Sequence, residues 1–360
     1  MKYRTASLLA ATDVGTSGTK EIEIKVKKPI SRINIYWKVT ASQHGMDSYC
    51  HRDMTKIELV DGDTVLHSLN GGQNQALCIY DRKVPTMIHG QFASGDSLAS
   101  LYGIDFGRYL WDPELALDPT QFQNLQLKIS HNESLADTGA TVNEMRVWAD
   151  IFDEKAISPR GFLVAKEHNS YTVQGTGYDY IKLPTDRVLR KMLVQGYLSA
   201  FEPWYTVGEA RLNEDSDNHV LFDWDLEIYH RVMKGQQTPV EDLIEGLTGA
   251  ATKTYYGTPT DYWAALILST RNHAITGQGG ATSRGGSMSI THGSGSGAFI
   301  GVYRGWLPNH CFEFPFGDPK DIDDWYDVTK VGDLELRLKG GSGGGSNGIA
   351  ATILQQLRTY

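Results

Sequence analysis

Imidazole and carboxylate side chains gather in one predicted loop, and they are the first candidates for chemistry. His44, Asp47, His51 and Asp53 lie within ten residues of one another, and ligands of these types could bind a cation. A metal site on adjacent strands would also favour histidines two residues apart, yet none of the 11 histidines stands in a His-x-His pattern. The spacing therefore favours an ordinary polar loop over a cation site.

Two acidic clusters could supply oxygen ligands for a cation such as calcium. They are Asp318, Asp321, Asp323 and Asp324 in one segment, and Glu214, Asp215 and Asp217 in another. The spacing of an EF-hand loop and its glycine are absent from both. We therefore expect solvated carboxylates in turns, with a cation at a seam between subunits as the alternative.

Glycine-rich runs give a weak signal for phosphate binding. The run Gly15–Lys20 is not a Walker loop, because four residues must separate the two glycines of that motif. The run Gly293–Gly297 lacks the complete G-x-G-x-x-G pattern and a surrounding βαβ unit. The sequence therefore predicts no catalytic residue, no cofactor and no metal ion. A carboxylate pair for glycoside hydrolysis stays open, since its separation of about 5–10 Å is a three-dimensional property.

Aromatic residues fall into two groups. Four occupy patterned positions and are predicted to lie in the core, namely Trp37, Trp148, Tyr80 and Tyr229. Seven others are clustered in predicted loops, namely Phe201, Trp204, Tyr205, Tyr255, Tyr256, Tyr262 and Trp263. Exposed aromatic side chains are typical of protein interfaces, so we expect subunit contacts there, with sugar stacking as the competing hypothesis.

Composition and charge narrow the class of protein. The chain has 360 residues, with 40% hydrophobic residues and 38 glycines, which is long enough for two domains. The net charge of −9 argues against nucleic-acid binding by the whole protein, but residues 1–40 carry a local net charge of +5. Cys50, Cys78 and Cys311 show no metal or redox spacing and are predicted to be reduced, buried thiols. We expect neither a transmembrane helix nor a signal peptide.

An alternating pattern positions these residues on strands. Leu125, Leu127 and Ile129 alternate with polar residues, and so do Leu334, Leu336 and Leu338, at an offset of 209. Such alternation is typical of half-buried strands. Further matches give an offset of 155, such as Leu8–Ala10 with Leu163–Ala165, Pro29 with Pro184, Ile57 with Leu212 and Val65-Leu66 with Val220-Leu221. A predicted helix around Ala76–Tyr80 matches the second half at an offset of 149, for example Leu77 with Leu226. The order of elements predicts an internal duplication.

The growth of the offset by 60 places an insertion inside Gly235–Gly301 of the second copy. Within it, Val240–Leu247 is predicted to be helical, and Gly277–Gly297 is a glycine-rich run. The run Gly340–Gly348 is interpreted as a hairpin connection rather than a domain linker. The predicted fold is all-β, with two tandem eight-stranded antiparallel jelly rolls over residues 1–154 and 155–360 and short helices.

Three segments carry a resemblance to a known family. Thr5–Ile24, Lys56–Leu69 with the helix after it, and Phe106–Ile129 resemble major capsid proteins of the double jelly-roll lineage from tailless icosahedral viruses, including bacteriophages. The resemblance is strongest over residues 5–150. It implies homotrimeric, pseudo-hexagonal capsomers in an icosahedral virion assembled in the host cytoplasm.

The same resemblance implies several partners. They are neighbouring capsomers, penton and minor capsid proteins, an internal membrane or genome met by the basic amino-terminal region, and a host surface met by the tower-like insertion. The alternative is a carbohydrate-active or glycan-amide-cleaving enzyme, or a lectin, built from two jelly rolls, because the fold alone does not decide function.

Overall fold

β-Strands form most of the chain in the computed structural model, which describes residues 1–42, 45–83, 89–92, 95, 97–136, 142–215, 217–248, 252–261, 265–270, 282–290 and 297–360. In these ranges no helix combines the length and apolar character needed to span a membrane. The architecture is therefore set by how the strands pair.

The first half contains nine described strands and one α-helix. Their bounds are β1 Tyr3–Asp13, β2 Ser17–Glu23, β3 Ile30–Thr40, β4 Met54–Asp61, β5 Thr64–Leu69, α1 Gly71–Arg82, β6 His89–Phe92, β7 Ser97–Asp105, β8 Leu125–Asn132 and β9 Val142–Phe152. Gly62 has a positive φ of 56° in the tight turn that joins β4 to β5. Asn70 caps α1 in a capping box with Gln73, which satisfies backbone N–H groups of the first turn.

The second half repeats this order and adds strands. Its bounds are β10 Gly161–Thr172, β11 Tyr178–Lys182, β12 Leu189–Tyr197, α2 Pro203–Thr206, β13 Val207–Glu214, β14 His219–Asp225, α3 Leu226–Lys234, β15 Val240–Thr248, β16 Lys253–Tyr256, β17 Ala265–Thr270, β18 Thr282–Arg284, β19 Ser287–Ile290, β20 Gly297–Gly305, β21 Cys311–Pro315, β22 Leu334–Gly340 and β23 Ile349–Thr359.

Each half is a jelly roll of two four-stranded sheets. In the first, β1-β9-β3-β7 faces β2-β8-β4-β5; in the second, β10-β23-β12-β21 faces β11-β22-β13-β14. Alternating side chains point into each sandwich, so Leu125, Leu127 and Ile129 are buried in one core and Leu334, Leu336 and Leu338 in the other. The duplication and the double jelly roll predicted from the sequence are confirmed.

Strand registers correct several of the predicted offsets. The offset of 209 holds, because Leu127 pairs with Leu59 as Leu336 pairs with Leu212. This register also equates Leu59, rather than Ile57, with Leu212. The hairpins β4–β5 and β13–β14 support an offset of 155 for β5 and β14, since both hairpins have a bulge at the same place.

Elsewhere the predicted matches were several residues out of register. Irregularities after Ile30 and Leu189 give an offset of 159 for β3 and β12, so Pro29 is not the counterpart of Pro184. The irregularities after Ser7 of β1 and Glu167 of β10 give an offset of 160, so the match of Leu8–Ala10 with Leu163–Ala165 is also wrong. The helix caps Asn70 and Asp225 give 155 for the helices, rather than 149. Short apolar strings match at many registers, whereas the hydrogen-bond ladder permits one.

The insertion lies between α3 and β21, and the regular elements in its described part are all strands. The offset rises from 155 at the helix caps to 210 at β7 and β21, so the insertion has 55 residues. Strands β15, β20 and β17 extend the first jelly roll's sheet, because β15 pairs in parallel with β6. Strands β16, β19 and β18 form a small separate sheet.

The predicted helix at Val240–Leu247 is wrong, because this segment is strand β15. Val240, Leu243, Ile244 and Leu247 have helical spacing. However, the chain buries Asp242 and exposes 59% of Leu243. Asp242 accepts a hydrogen bond from the Thr258 backbone N–H at 2.6 Å, and this bond offsets the cost of burying a carboxylate.

The run Gly340–Gly348 connects β22 to β23, so it is not a domain linker. It is also not a hairpin, because these two strands belong to opposite sheets of the sandwich. The division at residue 154 stays a prediction, since the sheets continue from one half into the other.

Candidate assembly surfaces

The loop with His44, Asp47, His51 and Asp53, for which the sequence favours an ordinary polar loop over a cation site, is a structural junction in its described part. Asp53 is buried, and its Oδ1 accepts the backbone N–H of Ala136 at 3.0 Å. Burial raises the pKa of this carboxyl to about 8. His51 is also buried, and burial lowers its pKa to about 3, while Asp47 is exposed. His44 lies outside the described residues.

The acidic clusters build turns. Asp321 Oδ1 accepts the backbone N–H of Asp323 at 3.1 Å, and Asp215 Oδ1 accepts those of Gly332 and Asp333, both at 3.1 Å. Asp217 pairs with Arg337 at 2.7 Å. Across the described part of the chain, no group of three or more His, Cys, Asp or Glu side chains is placed to hold a metal ion.

Helix α1 forms the seam between the two jelly rolls. Ten of its 12 residues are buried, and Leu77 and Tyr80 pack in one cluster with Leu193 and Ile353 of the second jelly roll. The Tyr80 hydroxyl donates to the Cys311 carbonyl at 2.8 Å. Beside the helix, β5 pairs in parallel with β10, which joins one sheet of each jelly roll into a single eight-stranded sheet.

A buried charge network crosses the same seam. Asp81 of α1 lies 2.6 Å from Arg190 Nη1 and 2.8 Å from Lys191 Nζ, and Lys191 also pairs with Glu313. Burial alone would raise the pKa of Asp81, but the charges of Arg190 and Lys191 outweigh it and hold the pKa below its ordinary value. These charges therefore constrain the relative orientation of the two jelly rolls, in addition to the apolar contacts that hold them together.

A cleft of about 390 Å³ opens at one end of this seam. Both halves line it, with Arg52, Lys56 and Gln73 on one side and Glu167 and Tyr197 on the other. Gln73 Nε2 donates to Glu167 across it, and Arg52 lies over the ring of Tyr197 at 5.3 Å. These two contacts therefore link the halves across the cleft.

Predicted contact aromatics hold the insertion to the second jelly roll. The guanidinium of Arg284 lies 3.9 Å from the ring centroid of Phe201 and 4.4 Å from that of Tyr205, and it pairs with buried Glu202 at 3.3 Å. Tyr255 is fully buried in the core of the insertion, so the hypothesis that it contacts another subunit is wrong. Tyr262, Trp263 and residues 293–296 of Gly293–Gly297 lie outside the described residues.

The predicted core aromatics are confirmed with one exception. Trp37, Tyr80 and Tyr229 are buried. Trp148 is half-buried on the outer face of the sheet β1-β9-β3-β7, where its ring lies 6.4 Å from that of Tyr36. Its strand β9 alternates faces, and Met145, Val147 and Ala149 take the inner one. Cys50, Cys78 and Cys311 are free and buried, as predicted.

Sequence reasoning missed a buried His–Asp pair at the root of the insertion. His230 Nε2 of α3 lies 2.9 Å from Asp261 Oδ2, and Trp204 stacks on the His230 ring at 5.2 Å. Asp261 Oδ1 also accepts the backbone N–H groups of Trp306 and Leu307. No sequence signal links these residues, because 31 positions separate His230 from Asp261.

Exposed lysines lie at one end of the molecule, and the insertion lies at the other. At one end, the Phe152 backbone N–H donates to Pro29 and that of Asp153 donates to Lys2, so the exposed lysines of residues 25–28 lie beside the amino terminus. Strands β10 and β23 run from this end, at Gly161 and Thr359, to Thr172 and Ile349 at the other. There the loop around Phe201 meets the insertion.

Comparisons with known proteins show the fold. No family model matches the chain, and no curated protein matches it. Among solved structures, the major capsid protein of STIV (Sulfolobus Turreted Icosahedral Virus) is similar with a TM-score of 0.60 and 10% identity, over 100% of this chain and 98% of that one. The major capsid protein P2 of bacteriophage PM2 gives 0.55 and 10%, over 99% and 98%. The PBCV-1 virus capsid gives 0.55 and 11%, over 99% and 93%. Their shared fold extends over the whole chain.

Proposed function

We propose that this protein is a structural major capsid protein, which forms homotrimeric, pseudo-hexagonal capsomers of an icosahedral virion. One observation carries the proposal: two jelly rolls stand side by side in a single chain, joined by α1 and by the β5–β10 pairing. The capsid proteins of similar fold match this chain over at least 99% of its length, which supports an assembly role for the whole chain rather than for one domain.

The geometry suits a closed ring. Two similar but non-identical units per chain give six units from three chains, and a cyclic arrangement satisfies every interface. The division into residues 1–154 and 155–360 belongs to this proposal. Its partners would be further copies of the chain in the same and in neighbouring capsomers, and penton and minor capsid proteins. The protein would assemble in the host cytoplasm and be located in the virion shell.

The difference between the two ends of the molecule suggests which end faces inward. The end with Lys25, Lys27 and Lys28 would face an internal membrane or the genome, since both carry phosphate groups that attract lysine. The insertion would stand on the outer surface, where it could meet a host. The described residues add nothing that favours the alternative hypotheses of an enzyme or a lectin. In the proposed function, the protein has no catalytic role.

Light scattering after size-exclusion chromatography tests the assembly role. We expect a species of three times the 39.9 kDa chain mass, and electron microscopy of concentrated samples should show plates or shells built from pseudo-hexagonal units. A strictly monomeric protein at millimolar concentration would overturn the proposal.

A further inference from the structure

The contact between the two jelly rolls inside one chain indicates how the equivalent surfaces could contact each other between chains. In the chain, the helix that follows β5 packs on the outer face of the sheet β10-β23-β12-β21. The same helix in the second jelly roll is α3, which follows β14. The outer face of β1-β9-β3-β7 is the corresponding surface of the first jelly roll.

Helices α1 and α3 occupy equivalent places. At the offset of 155, Asn74 corresponds to Tyr229, and at 210, Gly103 corresponds to Glu313. Asn74 Oδ1 accepts the Gly103 backbone N–H at 3.0 Å, and the Tyr229 hydroxyl donates to the Glu313 carbonyl. Both helices are thus anchored to the same backbone position of their own jelly roll.

The outer side of α3 nevertheless lacks the cover that α1 has. Ile228 is 56% exposed and Val232 is 42% exposed. Their counterparts in α1 are Gln73 and Leu77, which are buried. Leu77 packs in the seam cluster, and Gln73 Nε2 donates to Gln195 at 3.2 Å.

The surface that would receive α3 has matching chemistry. The register of β3 and β12 makes Tyr36 the counterpart of Gln195, and that of β9 and β23 makes Trp148 the counterpart of Ile353. Where the junction inside the chain has the amide pair Gln73–Gln195, the junction between two copies would therefore place Ile228 opposite Tyr36. Polar meets polar within the chain, and apolar would meet aromatic between chains.

We propose that α3 of one copy, through Ile228 and Val232, packs on Tyr36 and Trp148 of a second copy, and this inference rests on the proposed capsomer. The contact is head-to-tail, so each copy offers one donor helix and one acceptor face. Three such contacts close a ring, whereas an open end would leave one of each surface uncovered.

The sheet edges are compatible with this contact. Strand β14 lies at the edge of its sheet and β1 at the edge of another. Their counterparts β5 and β10 pair in parallel inside the chain at His67–Ala165 and Ser68–Lys166. The offset between β5 and β14 is 155, and the aligned bulges of β1 and β10 give an offset of 160. With these offsets, the equivalent pairs between two copies are Phe222–Thr5 and Asp223–Ala6.

Two full-length variants test the contact. Ile228→Glu places a charge on the donor helix, and Tyr36→Glu places one on the acceptor face. Each variant should be monomeric by native mass spectrometry at a concentration where the unmodified protein is trimeric. An equimolar mixture should form a 1:1 heterodimer and no larger ring, because only one donor–acceptor pair remains intact. The heterodimer also shows that both variants are folded.

Tyr180→Glu is the matched control. Tyr180 is 63% exposed on β11, at the opposite edge of the sheet from β14, and its substitution should leave the trimer intact. Trimeric Ile228→Glu, or a mixture with no heterodimer, would overturn the contact and leave the capsomer proposal standing. A monomeric unmodified protein would instead overturn the capsomer proposal itself.

Discussion

Lys191 Nζ lies 2.8 Å from Asp81 Oδ1, and both side chains are at least 96% buried at the seam between the two jelly rolls. Arg190 contacts the same carboxylate. Removal of the carboxylate would leave two buried cations with less compensation, so we expect Asp81→Ala to lower the free energy of unfolding by about 3–5 kcal/mol. Chemical denaturation measures this. The control is Glu23→Ala, which removes the exposed Lys25–Glu23 pair and should cost less than about 1 kcal/mol. Equal losses in the two variants would contradict a role of this charge network in stability.

Gly285→Ala should loosen the insertion from the second jelly roll. Gly285 has a φ of +52°, and an added Cβ would overlap the backbone of Phe201. We expect faster hydrogen exchange in β19 and earlier protease cleavage of the insertion, while β22 and β23 stay protected. Gly62→Ala is the matched control, because Gly62 has a φ of +56° but open space around it. If both variants behave alike, backbone conformation rather than crowding explains the effect.

His67→Gln should make the protein less sensitive to acid. Burial lowers the pKa of His67 to about 3, against about 6.5 in the unfolded chain. Between these values the unfolded chain binds a proton that the folded chain does not, so stability falls as the pH falls, by up to about 1.4 kcal/mol per pH unit. Urea unfolding at pH 7 and pH 5 should show a smaller loss for the variant. The same loss in both proteins would refute the assignment.

Asp53→Asn should act in the opposite direction. Burial raises the pKa of Asp53 to about 8, so between about pH 4 and pH 8 the folded chain holds a proton that the unfolded chain has lost. Stability due to this group therefore falls as the pH rises through that window. Asparagine keeps the acceptor for the Ala136 N–H and does not titrate. The stability difference between the original protein and the variant should shift in favour of the variant from pH 5 to pH 7, and a constant difference would exclude this titration.

The sequence predicts those parts of the fold that depend on local alternation. Leu125–Ile129 and Leu334–Leu338 identify equivalent strands, because each leucine face needs the same sheet beneath it. The matches of Pro29 with Pro184 and Leu77 with Leu226 are wrong, since a few shared residue types do not specify a ladder. Val240–Leu247 fits a helical period, but the segment is a strand because it pairs with β20 on one side and with β6 on the other, and no local pattern shows these partners.

The candidate assembly surfaces depend on contacts between distant segments. The alignment of Gln73 with Ile228 becomes visible only after Asn70 and Asp225 are identified as equivalent caps. The Arg284 contacts with Phe201 and Tyr205 join segments about 80 positions apart, and no periodicity reports such a pair. The sequence therefore cannot show that aromatic residues in these loops already contact other segments of the same chain.

The covalent connection between the two jelly rolls has a mechanical consequence for the proposed shell. In the proposed ring of six jelly rolls, three junctions are spanned by an unbroken polypeptide and three are held by non-covalent contacts alone. Under osmotic pressure or pulling force, cracks would therefore run along alternate junctions, and the ring would separate into three identical pieces rather than six.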